Sequence, residues 1–79
     1  MRVLFFAQTK DAAGSSEMEM HIPEQSGAEA VWQALIMSQP KLAPFRSSTR
    51  LARNGEYADA TTIFSDADEV ALIPPVSGG

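Results

Sequence analysis

Cysteine is absent from the 79 residues, which excludes disulfides, thiol nucleophiles and thiolate metal sites. Histidine occurs once, as His21, so neither a zinc cluster nor a Ser-His-Asp triad is comfortably assembled. Cations are scarce: six Lys and Arg stand against ten Asp and Glu, a formal charge of −4. Phosphate-backbone binding needs clustered basic residues to displace counterions, so no nucleic-acid partner is expected and a basic protein surface suits the chain better. Long apolar runs are missing too. Met1 and Arg2 lead into an apolar run of five residues, Val3 to Ala7, and Gln8, Lys10 and Asp11 follow it at once. A membrane span needs roughly 20 apolar residues, so this segment reads as a strand, not as a signal peptide or an anchor. The expected location is the cytoplasm, with no membrane partner. The length allows one domain, which buries only about 60% of its unfolded surface and has little room for an internal active site.

What is present alternates between strand and helix periods. Residues 2–8 are rich in β-branched and aromatic side chains, with Val3, Phe5 and Ala7 on one face and Leu4 and Phe6 on the other. Gly14-Ser15-Ser16 is a turn. Residues 17–22 alternate so that Met18, Met20 and Ile22 share a face while His21 points to solvent, and Pro23 ends the segment. The two strands form a hairpin. Ser26 and Glu29 have capping-box spacing, and Ala28, Val31, Trp32, Leu35 and Ile36 then make one apolar helical stripe. Pro40 stops that helix near Ser38 or Gln39. Trp32 and the methionines read as core. Residues 40–46 read as a loop pinned by Leu42 and Phe45. A strand over 49–53 enters Asn54-Gly55, a strong hairpin signal, and Glu56-Tyr57 returns from it. Residues 60–64 fit no pattern clearly. Asp66-Ala67-Asp68 is a turn, and Glu69 to Ile73 form the last strand before Pro74-Pro75. The order is β-β-α-β-β-β, an α+β roll with one helix across one face of a sheet.

Conventional catalytic sets are missing. Asp66, Asp68 and Glu69 lack calcium-loop spacing and read as a solvated turn in which Asp accepts local hydrogen bonds. Gly14 and Gly55 are turn glycines, and no metal site is expected. The C-terminus is more informative. Two prolines hold the chain stiff where the last strand ends, and only small residues follow. Residues 75–79 extend roughly 15–18 Å at about 3.3 Å each. Without Cβ atoms, Gly78 and Gly79 can thread a channel too narrow for larger side chains. A tail of this kind carries its α-carboxylate into another protein's active site.

Taken together, Val3-Leu4-Phe5-Phe6-Ala7, Asp66-Ala67-Asp68-Glu69-Val70-Ala71 and Pro74-Pro75-Val76-Ser77-Gly78-Gly79 resemble the small, sulfur-carrier subunit of molybdopterin synthase. The likeness runs the length of the chain and is most specific in the last fourteen residues. Ala67 and Ser77 stand where that family often has Gly and Thr. The resemblance implies a β-grasp, ubiquitin-like roll: a mixed sheet, one main helix on one face, and a flexible C-terminal tail, all in a single domain over 1–79 with 75–79 projecting. It implies that an adenylating, E1-like partner uses ATP to activate the carboxylate of Gly79. A sulfur donor protein then converts it to a thiocarboxylate, and the large synthase subunit receives the tail in a heterotetramer that builds molybdopterin from cyclic pyranopterin monophosphate. The chain binds no cofactor itself and is not catalytic alone. Pro75, Val76, Ser77 and Gly78 would thread the partner. Val3, Phe5, Val70 and Leu72 would face the helix, whereas Phe6, Tyr57 and Ile73 match the family's apolar docking patch. A thiamine-type sulfur carrier, a ubiquitin-like modifier and a plain binding module are the alternatives.

Overall fold

In a computed structural model the described residues are 1–75; Val76, Ser77, Gly78 and Gly79 lie outside them. Strand β1 spans Arg2–Phe5, shorter than the expected 2–8, with Val3 and Phe5 buried. Beyond Phe6 the chain turns through Ala7, at φ 51°, into a helix not foreseen from the sequence, α1 at Ala7–Ala13. Ala7 is therefore not the third inward residue of a strand. Three alanines and the long side chains of Gln8 and Lys10 favour helix, and left-handed Gly14 at φ 78° ends it. Phe6 at the N-cap has no side-chain acceptor, and Thr9 closes that end instead. Its hydroxyl donates to the Phe6 carbonyl oxygen at 2.7 Å and accepts from the Phe6 N–H at 3.2 Å.

Strand β2 (Glu17–Glu19) runs antiparallel to β1, as the hairpin reading required. The ladder ends at Glu19, earlier than expected, yet Met20 and Ile22 are buried and His21 is exposed. The main helix α2 is Ala28–Ser38, with Val31, Trp32 and Leu35 buried. Its start differs from the capping-box expectation. Gly27 is the N-cap, Ser26 donates its hydroxyl to the Pro23 carbonyl at 2.6 Å, and Glu29 pairs with Arg46 at 2.8 Å. Ser26 is occupied elsewhere because Ser26–Gly27 form a short strand, β3. The helix ends as Pro40 dictates, but Met37 lies on its outer side and is not core. A 3₁₀ helix at Pro40–Phe45 replaces the expected loop and buries Leu42.

Strands β4 (Arg50–Arg53) and β5 (Glu56–Tyr57) form the expected hairpin. Asn54 and Gly55 take positive φ values of 50° and 87°, the pattern of a tight primed turn. In the stretch that fits no clear period, Ile63–Phe64 form β6 and pair with β3. Strand β7 is Glu69–Ile73. The main sheet has the order β2-β1-β7-β4-β5, with β7 parallel to β1 and antiparallel to β4. Val3, Phe5, Leu51, Val70 and Leu72 from the sheet form one buried cluster with Val31, Trp32 and Leu35 from α2. The architecture is the mixed α+β roll read from the sequence, with a second short helix and a second two-stranded sheet added.

Candidate docking face and tail root

Parity places two kinds of side chain on the sheet face that α2 leaves open. In β1 and β7 the residues alternating with the core are Arg2, Leu4, Glu69, Ala71 and Ile73, none of them fully buried. The register sets Leu4 beside Ala71, Ala71 beside Ala52, and Ala52 beside Tyr57. Because Phe5 pairs with Leu72, Phe6 lies at the end of the sheet where Ile73 leads into Pro74-Pro75. Phe6 and Tyr57 are 45% and 58% exposed, far more than packing beneath a loop would leave, and Ile73 is half-buried.

These three residues, named together through the family resemblance, line one open depression of about 290 Å³ with Ala52, Ala71, Gly55 and Glu69. Small side chains from β4 and β7 form its floor, and aromatic rings stand at its rim. Such a surface is broad and apolar, suited to being covered by protein more than to enclosing a small substrate.

Charge divides the face. At the end far from the tail, Arg2 Nε donates to Glu17 at 2.7 Å and a second guanidinium nitrogen reaches Glu69 at 3.4 Å. The hydrogen bond that Arg2 donates to Glu17 is the main cause of the raised Arg2 pKa. Near the tail, Arg50 pairs in register with Ile73, and its guanidinium carbon sits 4.1 Å from the centre of the Tyr57 ring. Neither this stack nor the Thr9 clasp behind Phe6 was foreseen. The period-two pattern of β4 already aligned Arg50 with Ala52 on the open face. Thr9, the β-branched residue in α1, was the corresponding local clue.

The acidic turn accepts hydrogen bonds as expected, but those of Asp66 reach distant segments and not only its own turn. Asp66 accepts from the Ile22 N–H at 3.0 Å, approaches His21 Nδ1 at 3.1 Å and accepts from the Met1 amine at 3.3 Å. The Ile22 hydrogen bond, then the His21 contact, lower its pKa to about 2. Asp68 accepts from the Ser65 N–H and the Asn54 amide, both at 2.9 Å, and these bonds lower its pKa too. No cluster of His, Cys, Asp and Glu able to hold a metal is found among the described residues. No helix among them is long and apolar enough to cross a membrane.

The ThiS family model matches residues 3–79. The chain is similar to the molybdopterin synthase sulfur carrier subunit of Arabidopsis thaliana, with 34% identity over 79 residues spanning 100% of this chain and 82% of that protein. The corresponding subunit of Homo sapiens is 30% identical over 82 residues, covering 100% and 93%. Among solved structures, SAMP1 from Haloferax volcanii superposes with a TM-score of 0.85 at 30% identity, covering 100% of this chain and 98% of that one. A second structure, of small archaeal modifier protein 1 from the same organism, gives 0.84 at 27%, covering 96% and 97%. With the ubiquitin-like fold in place and relatives matching the whole of this sequence, the chain belongs to the ThiS family.

Proposed function

We propose that the chain is the sulfur carrier subunit of a molybdopterin synthase, with sulfur held as a thiocarboxylate on Gly79. The observation that carries this reading is its end-to-end likeness to proteins of that name. The geometry supports it: β7 carries the chain into Pro74-Pro75 beside the apolar depression, so a surface seated on Phe6, Tyr57 and Ile73 lies next to the departing tail.

A carboxylate has no leaving group and resists substitution. In the activating partner the Gly79 carboxylate attacks the α-phosphorus of ATP, releases pyrophosphate and becomes an acyl-adenylate. The outer sulfur of the donor protein's persulfide displaces AMP, and a thiol reductant cleaves the resulting acyl disulfide to leave the thiocarboxylate. The resulting thiocarboxylate sulfur is soft and largely ionised, so it is a better nucleophile than oxygen. On the large subunit it attacks a side-chain carbon of the pterin precursor and displaces an oxygen from it. Water then cleaves the acyl carbon–sulfur bond, leaving sulfur on the pterin and returning the Gly79 carboxylate. Two loaded copies supply the two sulfurs of the dithiolene. Pro75, Val76, Ser77 and Gly78 span the partner's channel, and their small side chains set its width. ATP belongs to the activating enzyme, and this chain holds no cofactor of its own.

Intact-mass spectrometry of protein isolated from its own cells should reveal a fraction with one C-terminal oxygen replaced by sulfur. Deleting Gly79, or adding one residue after it, should abolish molybdopterin formation. Undiminished synthesis by either variant would sink the proposal. The likeness to small archaeal modifier protein 1 supports a second reading, in which Gly79 forms an isopeptide bond with target lysines. Covalent high-mass conjugates that vanish when Gly79 is deleted would support that role.

A further inference from the structure

We infer that Arg50 gives the docking face a charge requirement: the partner that receives the tail presents a carboxylate, from Asp or Glu, against the guanidinium stacked on Tyr57. The inference rests on the carrier reading above and adds the chemistry of the surface that covers the patch. The chain carries a net −4, and on overall charge alone it calls for a basic partner. The neighbourhood of the tail root has the opposite sign.

Other arginines already have partners. Arg2 is held by Glu17 and Glu69, Arg46 by Glu29, and Arg53 donates to the Ile63 carbonyl oxygen at 2.6 Å. Among the described residues no carboxylate pairs with Arg50, which instead lies over the Tyr57 ring at 4.1 Å. A stacked guanidinium keeps its N–H donors at the ring's edge, where they remain able to fork onto a carboxylate. The ring fixes the head in advance, so less side-chain freedom is lost on association. Arg50 is directly opposite Ile73, two residues before Pro75, and Tyr57 lines the depression. A surface covering Phe6, Tyr57 and Ile73 must therefore desolvate this cation, and a charge left without a partner there would oppose binding.

The test measures affinity for the cognate large subunit by calorimetry, using the full chain and its R50A, R50K and R50E variants, with thermal unfolding of each as a control on folding. One charge-assisted pair corresponds to about tenfold in affinity. R50A is expected to bind about tenfold more weakly than the parent, R50E more weakly again, and R50K between the parent and R50A. R50E binding as tightly as the parent overturns the inference. Equal losses in R50A and R50E also overturn it, since they would assign Arg50 a packing role without an acid opposite. A parent chain that does not bind the large subunit at all would instead overturn the carrier reading, and this inference with it.

Discussion

Asp66 shows how one carboxylate in a turn can hold distant pieces of chain. It gathers the Ile22 N–H, the Met1 amine and His21, contacts up to 65 positions apart in sequence. Its pKa falls from the ordinary 3.8 to about 2. A depressed folded pKa means that its contribution is fully present above the unfolded value and is lost as pH falls from about 4 through about 2. Asp66→Asn should lower the unfolding midpoint at neutral pH and flatten its decline across that window. Melting curves at stepped pH check this, and parallel declines in parent and variant would refute it. The sequence made the Asp turn legible as a local hydrogen-bond acceptor, because Asp-x-Asp between apolar segments has a local explanation. The contacts to Ile22 and Met1 were not legible, since they depend on where two other segments arrive.

Elements set by strict period were the readable ones. The stripe of α2, the Asn54-Gly55 hairpin and the alternation of β7 each follow from a local rule. α1 escaped because the apolar run from Val3 masks the change of period at Phe6, and because its seven residues are too few for a clear stripe. The pair of β3 with β6 escaped because two-residue strands have no period at all. Ser26 matched a capping box in sequence but is committed to that pair, and tertiary context overrode the motif. For α1 the decisive residue is Thr9, a buried hydroxyl satisfied at both its donor and its acceptor. Thr9→Val should destabilise the fold by about 1–2 kcal/mol by stranding the Phe6 N–H. Thr9→Ser, which keeps the hydroxyl, should recover most of that in denaturant melts. If the valine and serine variants have equal midpoints, the clasp contributes nothing.

The whole molecule sorts its surfaces by duty. One sheet face is covered by α2 and supplies the core, and the other is left open beside the tail root. That division separates the folding core from the face proposed for docking, and it is open to experiment with a single residue. Phe6→Asp should weaken association with the large subunit by about 2 kcal/mol or more, as for a central aromatic anchor. The unfolding midpoint should stay close to the parent's, because Phe6 is 45% exposed. A collapse in stability would assign Phe6 to the core instead. Of the three residues proposed for docking, Phe6 and Ile73 were legible from alternation along their segments, and Tyr57 joined them through the family resemblance. What the sequence could not supply was their common depression, which depends on β5 folding back alongside β4 in the same sheet.

The position of β7 has a mechanical consequence. This strand lies inside the sheet, bonded to parallel β1 on one side and antiparallel β4 on the other. A pull applied along the axis of β7 at its C-terminal end loads both ladders in shear, and their bonds share the force. Peeling an edge strand would break them one at a time. A load entering there along the strand therefore meets two ladders at once and does not unravel the domain behind it bond by bond.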